Sequence, residues 1–253
     1  MNKQFSTRLL AKLEAAESVV VFTGAGMSAE SGVPTFRGED GVWKKFKPEE
    51  LANLDAFIRN PELVWEWYKH RKHLITTISP NPGHFALAGM ERYHTNFSII
   101  TQNIDNLHRK AGSTVVHELH GNIERNYCIS CGASASNKDI ISEKSVPKCA
   151  LCNGIIRPDV VWFGELLPAD EWNAAETAAR QCEIFFSVGT SGVVYPAASL
   201  PLIAKRSGAY VVELNLEPTD FGTQADEAIL GRAGEILPEL LRAYNHHSLS
   251  TSY

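Results

Sequence analysis

Val19-Val20-Val21-Phe22-Thr23-Gly24-Ala25-Gly26-Met27-Ser28-Ala29-Glu30-Ser31-Gly32-Val33-Pro34-Thr35-Phe36-Arg37-Gly38 is the stretch on which the fold turns. Its β-branched and aromatic start, residues 19–22, has the composition of a buried strand and passes directly into Gly24-Ala25-Gly26 and a small-residue segment suited to a helix start. Glycines at such a junction let the backbone approach a pyrophosphate, and the free N–H groups of a first helical turn, with the Ser28 hydroxyl, favour its charge. Gly24-x-Gly26-x-x-Ala29 fits the dinucleotide fingerprint, although the same triplet also serves as a tight structural turn. A hydride-transfer domain needs in addition a second strand ending in an acidic residue about 20 residues further on. Here that spacing lands on Lys44 and Lys45 with no strand-like run before them. Residues 31–38 have the character of an ordered loop with one aromatic and one cation, so a plain dehydrogenase domain is disfavoured.

Working outward, 253 residues with 44% hydrophobic content can bury a sizeable core. A net charge of −5 argues against a nucleic-acid footprint, and no sequence-specific nucleic-acid binding is expected. The first residues lack the pattern of a signal peptide and no apolar run approaches membrane-spanning length, so a soluble, cytoplasmic protein without membrane contact is expected. Leu9, Leu10 and Leu13 predict a helix over 7–17. Leu51, Leu54, Phe57 and Ile58 predict another over 48–60, and Pro61 restarts an aromatic helix carrying Trp65, Trp67, Tyr68 and Arg71. Taken singly, those aromatics fit a core stripe.

After the break at Pro80-Asn81-Pro82-Gly83-His84, a helix over 85–93 and a strand through Phe97, Ile99 and Ile100 lead to Thr101-Gln102-Asn103-Ile104-Asp105-Asn106. Consecutive polar groups after a buried strand stand where open α/β sheets hold ligands, or where Asp105 or Asn106 caps a helix. A short strand over 114–116 precedes His117 and His120. Residues 155–165 form an extended segment with exposed aromatic character, 169–181 a helix, and 183–188 a strand ending in Gly189-Thr190-Ser191-Gly192. Another strand over 210–214 ends in Asn215-Leu216-Glu217, which makes Glu217 the candidate for a ribose hydroxyl. Three strands thus end in polar turns, as expected when one dinucleotide lies across a parallel sheet. A last helix over 231–244 is followed by a tail that frays.

Cys128-Ile129-Ser130-Cys131 and Cys149-Ala150-Leu151-Cys152 are two Cys-x-x-Cys knuckles, and Cys182 is the one remaining of five cysteines. Four thiolates at this spacing match a closed tetrahedral zinc site, structural and not catalytic; redox disulfides are the alternative. The intervening polar segment cannot hold itself together by apolar burial, so metal would supply folding energy. A zinc ribbon alone suits a nucleic-acid or protein-binding module equally well.

The segments 24–37, 101–105, His120-Gly121, the four cysteines, Gly189-Thr190-Ser191 and Asn215-Leu216-Glu217 together resemble the sirtuins in order and spacing over nearly the whole chain. The resemblance implies one catalytic domain over 1–253 of α/β class. A Rossmann-like parallel-sheet domain (1–37, 80–123 and 158–245) carries a smaller domain made of a helical insertion, 38–79, and a zinc-binding insertion, 124–157. Between them NAD meets an acylated lysine of a protein substrate. It implies NAD contacts at Gly24, Ala25, Gly26, Ser28 and Ala29, and at Thr35, Phe36, Arg37 and Trp43. Further contacts are implied at Gln102, Asn103, Ile104, Asp105 and His120, at Gly189, Thr190 and Ser191, at Asn215, Leu216 and Glu217, and at Ala233. The implied reaction releases nicotinamide, with Asn103 at the reacting ribose and His120 as general base, and moves the acyl group to ADP-ribose. Val161, Phe163, Gly164 and Glu165 resemble the segment on which substrate peptide adds as a strand. Tyr68 and Arg71 fall three apart on one helix face and resemble the class III branch, which removes succinyl, malonyl and also acetyl groups; Ala52 aligns with a small residue that widens its acyl pocket. Mono-ADP-ribosyl transfer and a non-enzymatic zinc-ribbon module are the rival functions.

Overall fold

In the computed structural model, which describes residues 5–35, 51–137, 140 and 146–251, the opening run becomes β1 (Ser18–Thr23), buried from its second residue onward. It lies inside a six-stranded parallel sheet with β2 (Asn96–Thr101), β3 (Val116–Glu118), β6 (Ile184–Val188), β7 (Tyr210–Asn215) and β8 (Glu227–Leu230), in the order β3-β2-β1-β6-β7-β8. Every pairing is parallel, and strands buried on both faces account for the continuous apolar runs. The chain winds one way from β1 to β3 and the other from β6 to β8. The carboxyl ends of β1 and β6 therefore form the switch point where such sheets bind ligands.

One face packs Val19, Val21, Ile99 and Phe186 against α1 (Thr7–Ala15), α5 (Pro82–Met90) and α9 (Ala233–Thr251). The other packs Val20, Phe22, Phe185 and Val211 against α7 (Ala169–Gln181) and α8 (Leu200–Arg206). A third core joins α3 (Leu54–Arg59) and α4 (Pro61–Thr77) to a two-stranded antiparallel ribbon, β4 (Gly121–Cys128) with β5 (Ile156–Val160), through Phe57, Trp65, Tyr68, Ile123 and Trp162. This smaller unit carries the four cysteines. The α/β class and the inserted second unit are as expected from sequence.

Several elements depart from expectation for local reasons. The break at 80–84 is itself a helix start: the Asn81 side chain accepts from the His84 backbone and His84 accepts from the Asn81 backbone, a capping box that begins α5 at Pro82 instead of residue 85. The strand expected over 114–116 is shifted to Val116–Glu118. Trp162 is 2% exposed, so the extended segment shows its aromatic character to solvent at Phe163 and not at Trp162. Ile58 is 63% exposed although it shares the apolar spacing of its neighbours. α9 continues to Thr251 in place of the expected tail, and β8 and α8 had no counterpart in the sequence pattern. Among the described residues no helix is long and apolar enough to cross a membrane.

The turn after β6 closes on the turn after β1, with Gly26 N–H donating to Gly189 O at 2.8 Å. Gly189 has φ +60°, and a Cβ there would stand 2.5 Å from the Met27 nitrogen. Gly189→Ala should therefore destabilise the fold by about 1–3 kcal/mol through overpacking, read as a lower urea midpoint; an unshifted midpoint would show that the two turns separate freely.

Candidate active site

Above the switch point lies a cavity of about 1090 Å³. Its floor is the pair of glycine turns: Gly24, Ala25, Gly26 and Ala29 from the first, with Thr35 beyond it, and Gly189, Thr190 and Ser191 from the second. Added Cβ atoms at Gly24 and Gly26 would stand 2.8 and 2.7 Å from Gly189 backbone atoms, so only glycine permits this approach. α2 (Ala25–Ala29) is five residues long. Its contribution to an anion is the N–H groups of one turn and not a long helix dipole. Asn215, Leu216 and Glu217 line one end with Ala233, and Asn215 Nδ2 ties this end to Thr190 O at 2.9 Å.

The segment after β2 supplies Gln102, Asn103 and Ile104 to the wall. Gln102 Nε2 donates to Thr190 Oγ1 at 3.0 Å. Asn103 Nδ2 donates to Gly24 O at 2.9 Å and to Ser28 Oγ at 3.0 Å, leaving its Oδ1 as an acceptor. Ser28 and Asp105 are buried behind this lining. The Asp105 carboxylate accepts from Leu107 N at 2.9 Å, so it serves the start of α6 (Leu107–Lys110), and Asp105, expected to contact NAD, is not among the residues that line the cavity. Burial raises the Asp105 pKa, and Leu107 N–H, Ser28 and the Arg71 charge pull it back. Phe36, Arg37 and Trp43 lie outside the described residues.

His120 lines the same wall between β3 and β4. Its Nδ1 lies 3.0 Å from Gln102 O. A carbonyl only accepts, so Nδ1 carries the proton and Nε2 is left as the basic atom. Burial lowers the pKa of this imidazole, with the Gln102 carbonyl acting against it. His117, the other candidate, faces away from the cavity and pairs with Glu171 at 3.5 Å.

At the opposite end, Ala52, Tyr68 and Arg71 face Val161, Phe163, Gly164 and Glu165. Phe163 N donates to Ala52 O at 2.9 Å, and the Arg71 guanidinium sits 4.8 Å from the Trp67 ring centroid. The Glu165 carboxylate accepts from Arg157 at 2.5 and 2.8 Å and from Trp162 N at 2.8 Å. Its charge is thus used inside the protein, and it offers a ligand mainly backbone.

Sequence reasoning missed a buried histidine pair. His108 Nε2 lies 2.9 Å from Thr23 Oγ1, His84 Nε2 lies 3.5 Å from Ser28 Oγ, and the rings are 4.9 Å apart. Burial lowers the His84 pKa to about 4 and holds His108 well below its ordinary value. The capping pattern Asn81-Pro82-Gly83-His84 was the available signal for His84. Lys72 was missed too: it is 2% exposed, and its ammonium donates to Ile123 O and to Asn137 Oδ1 at 2.9 Å.

The four cysteine sulfurs lie within 4.8 Å of one another, with Cys128–Cys152 at 3.5 Å and Cys131–Cys149 at 3.7 Å. Four sulfurs at a zinc–sulfur distance of ~2.3 Å in a tetrahedron would be ~3.8 Å apart. The donor set therefore fits zinc held by these four residues with no open position. Cys182 stands apart at the end of α7, its thiol pushed up to about 12 by burial.

A doubly wound parallel sheet with a glycine-floored cavity at its switch point, joined to a four-thiolate module, defines a dinucleotide-binding α/β protein with a structural metal site. A family model described as Sir2 family matches residues 24–196, and the chain belongs to that family. It is 53% identical over 229 residues to NAD-dependent protein deacylase 2 of Pyrobaculum aerophilum, covering 90% of this chain and 92% of the relative. Among solved structures, a mutant Sir2 homologue in complex with ADP-ribose superposes with a TM-score of 0.93 at 42% identity, covering 97% of this chain and 98% of that one. A Sir2 variant with a deacetylated p53 peptide and 3′-O-acetyl-ADP-ribose gives a TM-score of 0.86 at 38% identity, covering 93% and 97%.

Metal analysis of the purified protein should find about one zinc per chain. Cys149→Ser should lose it together with cooperative unfolding, whereas Cys182→Ala should keep it; zinc lost on changing Cys182 would refute the ligand set.

Proposed function

We propose that this chain is an NAD-dependent protein-lysine deacylase that transfers acyl groups from lysine to ADP-ribose and prefers acidic acyl groups, succinyl and malonyl, while also accepting acetyl. The observation that carries the acyl preference is that Tyr68 and Arg71 line the same cavity as His120, Asn103 and the glycine turns. NAD, when bound, supplies an electrophilic ribose carbon and nicotinamide as leaving group. The glycine turns receive its phosphates on backbone N–H groups, and Asn215 to Glu217 hold the adenosine end. Asn103 Oδ1 and the Gln102 side chain present dipoles where positive charge grows on the ribose. His120 Nε2 takes a proton from a ribose hydroxyl, because its Nδ1 proton is committed to Gln102 O. Residues 161–165 bind the substrate backbone as an added strand. At the acyl end a guanidinium and a phenol suit a terminal carboxylate. The domain boundaries 1–37, 80–123 and 158–245 against 38–79 and 124–157 belong to the same proposal. A compartment that keeps thiols reduced suits the cysteine cluster, which favours the cytoplasm.

The test is mass spectrometry of reactions containing NAD and one peptide carrying succinyl, malonyl or acetyl lysine. Nicotinamide, free lysine and acyl-ADP-ribose are expected; ADP-ribosylated protein without deacylation would point to ribosyl transfer instead.

Because burial lowers the His120 pKa, its neutral, basic form persists below the ordinary histidine range of about 6.5. The acid limb of kcat/KM should accordingly fall only below that pH. His120→Ala should remove that limb and lower turnover by roughly 10² to 10⁴, with NAD affinity largely kept in calorimetry. Near wild-type turnover in this variant, with His117→Ala inactive, would transfer the role to His117.

Arg71→Met should reduce kcat/KM on succinyl peptide by about 10- to 150-fold, largely through KM, since a charge-assisted contact contributes about 1.5–3 kcal/mol. The loss on acetyl peptide should be far smaller; equal loss on both substrates would make Arg71 structural.

A further inference from the structure

Trp162 is buried at the foot of the acyl end and held on several sides. Its ring centroid is 5.0 Å from that of Phe57, and the Arg157 guanidinium lies 3.6 Å from its centroid. Arg157 is itself fixed by both oxygens of Glu165, and Glu165 closes the circuit by accepting from Trp162 N. An indole held this way has one polar atom to direct. Its Nε1–H donates to Tyr68 Oη at 2.8 Å.

That bond constrains what Tyr68 can do. A phenol has one proton and accepts through its oxygen lone pairs, whereas an indole N–H only donates. With the acceptor side of Oη taken by Trp162, the phenol proton turns the other way. The residue that lines the cavity then presents an O–H donor. Burial and the wish of a buried donor for a partner make this matter: a ligand acceptor satisfies it, and a methyl group leaves it unmet.

We propose that Trp162 is a positioning residue that fixes Tyr68 as a hydrogen-bond donor, and so sets selectivity for acyl chains that end in an acceptor such as a carboxylate. This selectivity rests on the acyl-group preference proposed above. Arg71, one helical turn from Tyr68 on α4, supplies charge; Trp162 supplies the polarity of the second contact. The burial that raises the Tyr68 pKa also keeps its proton in place.

The experiment is steady-state kinetics on succinyl and acetyl peptides with wild type, Trp162→Phe, Tyr68→Phe and the double variant, beside Arg71→Met. Phenylalanine keeps a ring under Arg157 and removes only the N–H donor and the outer indole ring. Trp162→Phe should lower the succinyl-to-acetyl ratio of kcat/KM about three- to tenfold, mainly through KM. Tyr68→Phe should do the same, and the double variant should add little, because Trp162 has no hydroxyl left to orient. An unchanged ratio in Trp162→Phe, or independent additive losses, overturns the inference. If wild type prefers succinyl and Arg71→Met removes the preference while Trp162→Phe leaves it, the inference alone fails; if wild type shows no preference, both fail. Should Trp162→Phe not fold, the indole N–H signals of the five tryptophans in ¹⁵N spectra decide. One should shift in Tyr68→Phe and when succinyl-lysine peptide is added to wild type without NAD, and a spectrum without such a signal counts against the proposal.

Discussion

The close approach of the two glycine turns governs the rest of the molecule. β1 and β6 run side by side, and their carboxyl ends meet backbone to backbone: Gly24 N–H donates to Val188 O at 3.0 Å and Gly26 N–H to Gly189 O at 2.8 Å. No Cβ fits between them. The turns therefore form a flat peptide floor, and side chains that would fill the switch point are pushed to its rim. Gln102 and Asn103 reach over this floor from β2 and are tied to it at Thr190 and Gly24. A polar wall and a peptide floor thus come from adjacent strands, and their relative position is set by sheet hydrogen bonds, which are among the least adjustable distances in a protein.

The end of the cavity lined by Tyr68 and Arg71 is built differently, from side chains drawn from distant segments. Phe57, Tyr68, Arg157 and Trp162 meet only once α3, α4 and β5 have packed. Charge in this unit is mostly matched internally. Arg157 pairs with Glu165, and Arg125 bridges Glu118 and Asp159 at 2.6 and 2.7 Å. Lys72 is lowered to about 8 by burial, with Glu124 and Asp159 pulling it up. Since its folded pKa lies below the unfolded 10.5 or so, the unfolded chain binds the proton more tightly, and this group favours folding more as pH rises from about 8 to 10.5.

This contrast explains what could be read from the sequence. The strands and the glycine turns were legible because their signals are local: unbroken apolar runs and paired small residues. The cysteine cluster was legible for the same reason, since each knuckle fixes two ligands within four residues. Trp162 and Lys72 were not legible. Lys72 sits in the polar run Lys69-His70-Arg71-Lys72-His73, Trp162 in an extended segment whose aromatics were expected to be exposed, and the burial of both depends on partners many residues away. Ile58 fails in the opposite sense: its spacing is apolar, but α3 is short and presents that side to solvent. β8 is a half-exposed edge strand of four residues, too short for a periodic pattern. Pro238 stands inside α9 and masks its length, because a proline in a helical pattern ordinarily marks an end.

The four-thiolate module does not line the cavity, yet the ribbon joins it to His120 and residues 161–165, which do. β4 begins at Gly121, immediately after His120, and ends at Cys128; β5 runs back from Ile156 to Val160, just before the wall residues 161–165. The ribbon is pinned at its near end by Val161 N–H on His120 O at 2.9 Å and by Gly121, whose φ of +79° and contact with Asp159 O admit no side chain. At its far end, about 13 Å away along the five residues of β5, Cys128 pairs with Ile156 and the cysteine cluster ties the strand ends to the segment between them. β4 carries a register irregularity between Gly121 and Asn126, so the near end alone does not dictate pairing at the far end. A metal there would act on the cavity through strand register, fixing how His120 and residues 161–165 meet at the near end of the ribbon without itself lining the cavity.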